Sequence, residues 1–197
     1  MMSGSRLERI LELIDAANAC DPNFEVEGGH EHPKELLYGQ RMSACLERVS
    51  PDASEALRIA ARGQHIRRWE VPRNRYPETR EGYLKWRTGL YGFHAERVAE
   101  LMNEVGYDPP TIDRVRTLIQ KRGIKTDPEA QTLEDVICLV FLEHYFADFA
   151  ASKDAEKLIV IVKKTWNKMS ERGHVLALQL PFPDPIQALL ARALGAS

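Results

Sequence analysis

Residues 80–105, REGYLKWRTGLYGFHAERVAELMNEV, carry a long helical pattern in a chain of 197 residues. Its aromatic and apolar side chains recur every three or four positions and so lie near one stripe of an α-helix: Tyr83, Trp86, Leu90, His94 and Val98. Gly106 follows, and glycine closes many helices because it adopts the left-handed conformation without strain. The stretch therefore predicts one long helix that ends at Gly106.

The same periodicity extends toward the N-terminus. Ser5 and Glu8 have the spacing of a capping box and predict the start of a helix that closes near residues 21–22. Pro33 suits the start of a second helix. The segment SPDASE, residues 50–55, opens a third, which we expect to run to about Trp69 and to stop before a proline.

Helical patterns also fill the C-terminal part. We expect helices over residues 110–121, 155–169 and 185–194, with Gly173 closing the second of these. Thr132 with Asp135 gives another capping signal ahead of the most apolar helix, LEDVICLVFLEHYFADFA.

The predicted fold class is all-α. No alternating strand pattern is longer than about four residues, and the segment GGHEHP, residues 28–33, is expected to be a loop. With 44% apolar and 28% charged residues the chain has an ordinary globular composition. Its length suits one core, so we expect a single compact domain of about eight helices over residues 1–197.

Composition also limits the class of protein. No run of eighteen apolar residues exists and the N-terminus lacks an apolar signal core, which favours a cytoplasmic protein without a membrane partner. Three widely spaced cysteines argue against a disulfide framework or a structural zinc site. A net charge of -2 disfavours a protein that coats nucleic acid, since such binding requires a broad basic face.

Residues 62–87 depart from this neutral background. They contain eight Lys or Arg and three Glu, interleaved with aromatic residues. Clustered cationic side chains repel one another unless carboxylates, aromatic faces or a bound anion offset them. The segment therefore predicts a binding site for a small anionic or phosphorylated ligand.

Two helices of this region predict a cleft. On a helix, His65 shares a face with Arg68 and Trp69, and Gln64 lies on the neighbouring edge. The helix over residues 80–105 repeats the combination of guanidinium, aromatic and imidazole groups: Tyr83, Trp86, Arg87 and His94. The alternative is a core histidine beside an arginine that packs on tryptophan.

Glu134 and Asp135 are a second anomaly, because they precede an almost entirely apolar run. A carboxylate drawn into a core must be paired, metal-bound or protonated. In one interpretation, either acid lies in the cleft lined by the arginine and histidine side chains, where it pairs with an arginine or holds a cation. The other is that both complement the positive end of the helix dipole.

Several segments together resemble a family catalogued as domain of unknown function 4202. They span most of the chain: QHIRRWEVPRNRYP at 64–77, GYLKWR at 82–87, FHAE at 93–96, QTLEDVICLVFLEHYF at 131–146 and KTWNKMS at 164–170. The resemblance runs from about Ile10 to Leu180 and implies no established activity.

The helix order is also distantly similar to HD-domain metal-dependent phosphohydrolases. That resemblance sets ELLYGQRMSACL at 35–46 on the first histidine helix and IAARGQHI at 59–66 on the His-Asp doublet, and it aligns Asp135 with the last ligand. Tyr38 stands where the first histidine is expected, and Gln64-His65 replaces His-Asp. A retained divalent metal, whether Fe, Mn, Zn or Mg, would need a rearranged set, which we predict to be His65, His94 and Asp135.

The leading hypothesis is an HD-like hydrolase of a small phosphorylated or otherwise anionic substrate. Arg68, Arg73 and Arg87, assisted by Arg41, would hold the anion, with Gln64 beside them. Trp69, Tyr83 and Trp86 would wall the pocket. His65 with Glu134 or Asp135 would activate water, as general base or through the metal. The rivals are a binding module for a nucleotide or an RNA end and a purely structural network.

Overall fold

Helices account for nearly all the regular structure in the computed structural model of the chain, which describes residues 5–151 and 153–195. The all-α prediction is confirmed. Ten α-helices lie in these ranges, against about eight predicted. The additional two arise because the apolar helix near residue 140 divides at a π-helical segment, and because a separate short helix follows Ser170.

The chain groups into two compact units, Met1–Ile124 and Lys125–Ser197. A single domain over residues 1–197 stays a prediction. Regular elements of the first unit are α1 (Arg6–Asn18), β1 (Phe24–Glu27), β2 (His30–Pro33), α2 (Lys34–Val49), α3 (Glu55–Arg62), α4 (Arg80–Val105) and α5 (Pro109–Ile119).

Two helix ends of this unit match the expectation from sequence. The Ser5 hydroxyl accepts a hydrogen bond from the Glu8 N–H, and the Glu8 carboxylate accepts one from the Ser5 N–H, which completes the capping box of α1. Helix α4 ends at Gly106, whose φ of 85° lies in the left-handed region. Local signals therefore determined both ends.

The expected loop at residues 28–33 is instead half of a β-hairpin. Strands β1 and β2 pair antiparallel, with Glu25 opposite His32 and Glu27 opposite His30. Gly28 and Gly29 both have positive φ, which is what a two-residue hairpin turn requires. The strands were too short to produce a recognisable alternation in the sequence.

Helix α3 ends at Arg62, so the prediction that it continues to Trp69 was wrong. Gly63 packs so closely on α4 that a Cβ there would lie 2.4 Å from Val98 Cγ2. The chain then forms a turn over residues 63–67, in which Arg67 has a φ of 51°, followed by a 3₁₀ turn over Arg68–Glu70. Tertiary packing thus overrides the helical periodicity, and His65 does not share a helix face with Trp69.

The core of the first unit lies where the inner faces of its five helices meet. Helix α4 packs on α1 and α5, and α3 packs on α1, α2 and α5. Buried side chains from all five helices and from the turn after α3 fill this space: Ile10, Ile14, Leu37, Met42, Leu46, Leu57, Ile59, Ile66, Leu90, Met102 and Leu118.

The second unit contains α6 (Pro128–Val140), α7 (Phe146–Ala151), α8 (Ala155–Trp166), α9 (Glu171–Leu178) and α10 (Asp184–Leu194), with the π-helical segment Phe141–Tyr145 between α6 and α7. Asp127 caps α6, so the helix starts before the predicted cap Thr132. Gly173, predicted to stop a helix, lies inside α9, which Ser170 caps. Helix α8 packs on α10, and α6 packs on α9.

Among residues 5–151 and 153–195, none of the helices combines the length and the hydropathy needed to cross a bilayer.

Candidate functional site

The first turn of α2 holds a buried carboxylate, that of Glu35, which is 6% exposed. Its backbone N–H donates to Asp21 Oδ2 at 3.0 Å, and its carbonyl accepts from Asn18 Nδ2 at 3.3 Å. Both partners are buried. The backbone at Glu35 is therefore anchored on two sides, and the side chain is held in the interior.

His65 lies in the turn after α3, opposite Glu35. The Arg67 N–H donates to Asn18 Oδ1 at 3.0 Å, so Asn18 ties this turn to the start of α2. His65 Nδ1 lies 3.1 Å from Glu35 Oε2. The Tyr38 ring stacks on the imidazole, with centroids 3.9 Å apart and planes 10° apart. The carboxylate and the phenol ring together fix the orientation of the imidazole.

The Arg68 guanidinium covers the other edge of the imidazole. Its Nη1 lies 3.3 Å from His65 Nε2, its Nε lies 3.9 Å from Glu35 Oε1, and its Cζ lies 4.9 Å from the Trp86 ring centroid. Trp86 is held by its indole N–H, which donates to the Val71 carbonyl at 2.8 Å. Because a guanidinium can only donate, His65 Nε2 accepts here, and His65 Nδ1–H donates to Glu35.

His94 of α4 lies behind His65, with ring centroids 5.8 Å apart. It is 1% exposed, and its Nδ1 lies 2.8 Å from the Ile66 carbonyl oxygen. Because a carbonyl oxygen only accepts, Nδ1 carries the proton and Nε2 bears a lone pair. No group in the described part of the chain forms a hydrogen bond with that Nε2.

Burial shifts the pKa values of Glu35, His65 and His94. Burial raises the pKa of Glu35 from 4.5 to about 7, although Arg68 opposes the shift. Burial, reinforced by Arg68, lowers the pKa of His65 well below its ordinary 6.5. Burial, with a smaller contribution from His65, lowers the pKa of His94 to about 3. Near neutral pH both imidazoles are uncharged, while the Glu35 carboxyl exchanges a proton.

We call these groups the Glu35–His65 cluster, and it consists of Glu35, Tyr38, His65, Arg68, Trp86 and His94. Four of its members were predicted from the sequence to share a site: His65, Arg68, Trp86 and His94. Gln64, also predicted, is buried next to His65, and its Oε1 has no hydrogen-bond partner among the described residues.

Three of the predicted anion-binding arginines make other contacts. Arg41 forms ion pairs with Glu25 and Glu27 of the hairpin, at 2.5 and 2.9 Å. Arg73 donates to the carbonyls of residues 76 and 77, both at 2.8 Å. Arg87 Nε donates to the Tyr91 hydroxyl at 2.9 Å. These contacts give each guanidinium a structural partner, and their role in ligand binding stays a prediction.

The remaining predicted aromatic residues border this region. The Tyr83 ring is exposed, and its centroid lies 6.0 Å from that of Trp86. Trp69 is half-buried in the same 3₁₀ turn as Arg68. Both therefore lie next to cluster residues in the chain or in space.

The two predicted acids Glu134 and Asp135 belong to the second unit and have partners there. Ser170 donates to Asp135 from its N–H at 2.7 Å and from its hydroxyl at 2.5 Å, and Gln131 Nε2 donates at 3.1 Å. The Lys168 ammonium lies 3.5 Å from Glu134 Oε1. The convergence of Asp135 with His65 on one cleft stays a prediction.

The donor atoms of the cluster do not suit a divalent cation. Glu35 Oε2 and His65 Nδ1 satisfy each other, and Arg68 brings positive charge beside both. Within residues 5–151 and 153–195, no group of three or more His, Cys, Asp or Glu side chains is arranged to hold a metal ion. The predicted set of His65, His94 and Asp135 stays a prediction.

Sequence reasoning missed Glu35, the carboxylate partner of His65. An acid in the first turn of a helix is the commonest way to complement a helix dipole, so Glu35 gave no signal of burial. Its anchors, Asn18 and Asp21, likewise resembled residues at a helix end. Only Tyr38 gave a signal, since the HD-like pattern placed it at a ligand position.

The family model described as Domain of unknown function (DUF4202) matches residues 8–190 of the chain. The protein therefore belongs to this family, and the match covers the segments that carry the Glu35–His65 cluster. No curated protein and no solved structure matches the chain.

Proposed function

We propose that the protein is a hydrolase of a small phosphorylated substrate. One observation carries the proposal: Glu35 Oε2 lies 3.1 Å from one nitrogen of His65, and Arg68 Nη1 lies 3.3 Å from the other. A histidine held by a carboxylate on one edge is the usual arrangement of a general base. A guanidinium at the other edge supplies the forked donors that bind phosphoryl oxygens.

Arg68 is the residue we assign to the phosphoryl group. Its side chain is 29% exposed, so a ligand can reach it. Trp86 lies under the guanidinium and limits its motion, which lowers the entropy lost when an anion binds. A substrate anion on Arg68 also offsets the positive charge that lowers the pKa of His65. Binding would therefore make His65 a stronger base.

The chemistry uses His65 and Glu35. When Arg68 turns to the substrate, His65 Nε2 becomes free to take a proton from a water molecule. That water attacks phosphorus, and the bond from phosphorus to the ester oxygen breaks. The proton on His65 passes to the leaving oxygen, so the products are an alcohol and phosphate. Glu35 holds the Nδ1 proton and stabilises the transient imidazolium.

The resemblance to HD-domain phosphohydrolases supports this proposal. Tyr38 and Gln64-His65 are the positions that the resemblance aligned with metal ligands, and Tyr38 stacks on His65. In those enzymes a metal activates water. Because the cluster does not suit a divalent cation, His65 and Glu35 carry the base role here.

A binding module for a nucleotide or an RNA end is the second candidate. It is favoured by the two stacked pairs of the cluster, Tyr38 on His65 and Arg68 on Trp86, since bases stack on such faces. In that case Arg68 would keep covering His65 Nε2, and no turnover would follow.

A phosphatase assay separates the two candidates. We expect the wild type to hydrolyse p-nitrophenyl phosphate or a member of a nucleoside and sugar phosphate panel. His65→Asn should lower kcat by about 10²- to 10⁴-fold, the range that general base catalysis contributes. Glu35→Gln should lower kcat less, because the amide oxygen still accepts the hydrogen bond that His65 Nδ1–H donates.

His30→Gln is the matched control, because His30 is an exposed histidine of the hairpin, and it should retain wild-type kcat. Nucleotide binding without turnover in the wild type would favour the binding module. Turnover that survives His65→Asn unchanged would reject the assigned base.

A further inference from the structure

His94 Nε2 carries a buried lone pair that has no hydrogen-bond partner among the described residues. The Ile66 carbonyl fixes the proton on Nδ1, and no donor from the described residues reaches Nε2. Leaving a buried polar atom unsatisfied is costly, and such atoms are usually filled by a ligand or a water molecule. Whatever fills this one must donate a hydrogen bond.

The neighbouring groups narrow the chemistry of the ligand. Arg68 is a partly exposed cation that binds the anion in the proposed function, whereas His94 Nε2 needs a donor, and both groups lie beside His65. Gln64 Oε1, next to His65 in the chain, is a second buried acceptor without a partner in the described ranges. The ligand must therefore combine negative charge with a hydroxyl hydrogen.

A metal ion could also bind a free imidazole lone pair, but its charge would face the Arg68 guanidinium. The repulsion between the two cations would oppose binding in this buried position. A protonated phosphate satisfies both groups at once, because its P–O⁻ oxygens accept from Arg68 while its P–OH donates to His94.

We propose that the cluster selects a phosphate group that carries a proton, and that His94 is the specificity-determining residue that accepts the P–OH hydrogen bond. The inference rests on the proposed function, since it requires the anion to bind at Arg68. It adds the ligand class: hydrogen phosphate or a singly protonated phosphate monoester, as opposed to sulfate or another anion without a hydrogen to donate. His94 touches the ligand and takes no proton from it.

Phosphate and sulfate form a matched pair of probes, because they share size and tetrahedral shape while only phosphate carries a proton near neutral pH. We expect calorimetry at pH 6.5 and constant ionic strength to give at least about tenfold tighter binding of phosphate by the wild type, the ratio that one hydrogen bond of about 1.4 kcal/mol supplies. Equal affinities would overturn the inference alone. Binding of neither anion would overturn the proposed function as well.

Two substitutions of His94 test its role. The side-chain amide of Asn lies where His94 has Nδ1, so His94→Asn removes the hydrogen-bond acceptor at the Nε2 position. The longer side chain of Gln places its amide oxygen at the Nε2 position, so His94→Gln keeps an acceptor there. We expect His94→Asn to bind phosphate and sulfate with about equal affinity, and His94→Gln to keep the preference for phosphate. Arg68→Gln, the control, should weaken both anions together. A preference that survives His94→Asn would overturn the assignment.

NMR spectroscopy of the wild-type protein tests the same inference without relying on variants that could fail to fold. In long-range ¹⁵N–¹H spectra, His94 Nε2 should shift upfield on titration with phosphate, because it accepts a hydrogen bond, and should not shift with sulfate. An equal shift with both anions would overturn the inference. So would the absence of any shift when both anions bind.

Discussion

Both units of the protein bury carboxylates, and two of these, Asp135 and Glu35, have different kinds of partner. In the second unit, Asp135 accepts two hydrogen bonds from Ser170 and one from Gln131, none of which titrates near neutral pH. In the first unit, Glu35 faces His65 and Arg68, and burial raises its pKa to about 7. The two carboxylates therefore differ in whether their partners are neutral donors or ionisable groups.

Neutral hydrogen-bond donors hold the Asp135 carboxylate. It receives the N–H and the hydroxyl of Ser170 at the start of α9, and a Cβ at Gly173 would lie 2.8 Å from its Oδ1. The backbone at Gly173 therefore lies close to this carboxylate oxygen. Glu35, in contrast, keeps a second oxygen 3.9 Å from the partly exposed Arg68.

The largest effect on stability should follow loss of the Asp135 carboxylate. Asp135→Ala removes hydrogen bonds to a carboxylate that is 4% exposed, and each such bond is worth about 1.5 to 3 kcal/mol. We expect the free energy of unfolding to fall by about 3 to 5 kcal/mol. Urea denaturation would measure the loss.

Asp148→Ala is the control for this change, because Asp148 is an exposed acid of the same unit. It should alter stability by less than about 0.5 kcal/mol. If Asp135→Ala lowered the free energy of unfolding by an equally small amount, the proposed difference between Asp135 and Glu35 would be wrong.

The second effect is a pH dependence of stability that Glu35 causes. Its pKa is raised from 4.5 to about 7, so the folded protein binds a proton more tightly than the unfolded chain between these values. Stability therefore falls as the pH rises through this window. Relative to Glu35→Gln, the wild type should lose about 3 kcal/mol between about pH 4.5 and pH 7.

The difference between the two proteins isolates Glu35, because His65 and His94 are present in both. Their lowered pKa values act in the opposite sense, since a histidine buried as the neutral form gains stability as the pH rises. Glu12→Gln, at an exposed acid of α1, should leave the wild-type profile unchanged. Parallel profiles for wild type and Glu35→Gln would show that Glu35 is ionised as easily as an exposed acid.

The smallest effect concerns Ser170, which links Asp135 to α9. Its hydroxyl donates to Asp135 and accepts from the Gly173 N–H as an N-cap. Ser170→Ala removes both contacts but keeps the backbone hydrogen bond to Asp135. We expect a loss of about 1 to 2 kcal/mol in unfolding free energy.

In the proposed phosphatase assay, Ser170→Ala should leave kcat unchanged at a temperature where the variant is folded. A specific loss of activity would mean that Asp135 and Ser170 take part in chemistry. The contrast with Glu35 would then be wrong.

Helix type and several helix ends could be predicted from the sequence because their signals are local. The periodicity over residues 80–105, closed by Gly106, predicted α4 with both ends correct. The same reasoning failed after Arg62, where close packing of Gly63 on Val98 turns the chain out of the helix. Gly63 marks the position in the sequence, but the contact that requires a glycine there is with Val98, which lies far along the chain.

The candidate site was predicted in the same partial way. Their residue types and positions predicted that four residues share a site, and in the structure all four lie in the Glu35–His65 cluster: His65, Arg68, Trp86 and His94. The spacing argument behind that prediction was wrong, since His65 lies in a turn and not on a helix with Arg68. The turn and the following 3₁₀ segment instead place His65 and Arg68 against Glu35 of α2.

By itself the sequence determined the all-α class, the capped ends of α1 and α4, and the segment that carries the basic and aromatic residues. Those properties depend on neighbours within one or two helical turns. The tertiary structure alone decided that Glu35, and not a more conspicuous acid, is the partner of His65, and that no described residue forms a hydrogen bond with His94 Nε2. Burial and pairing depend on residues about 30 positions apart in the chain. A local sequence pattern cannot predict such contacts, because it depends only on neighbouring residues.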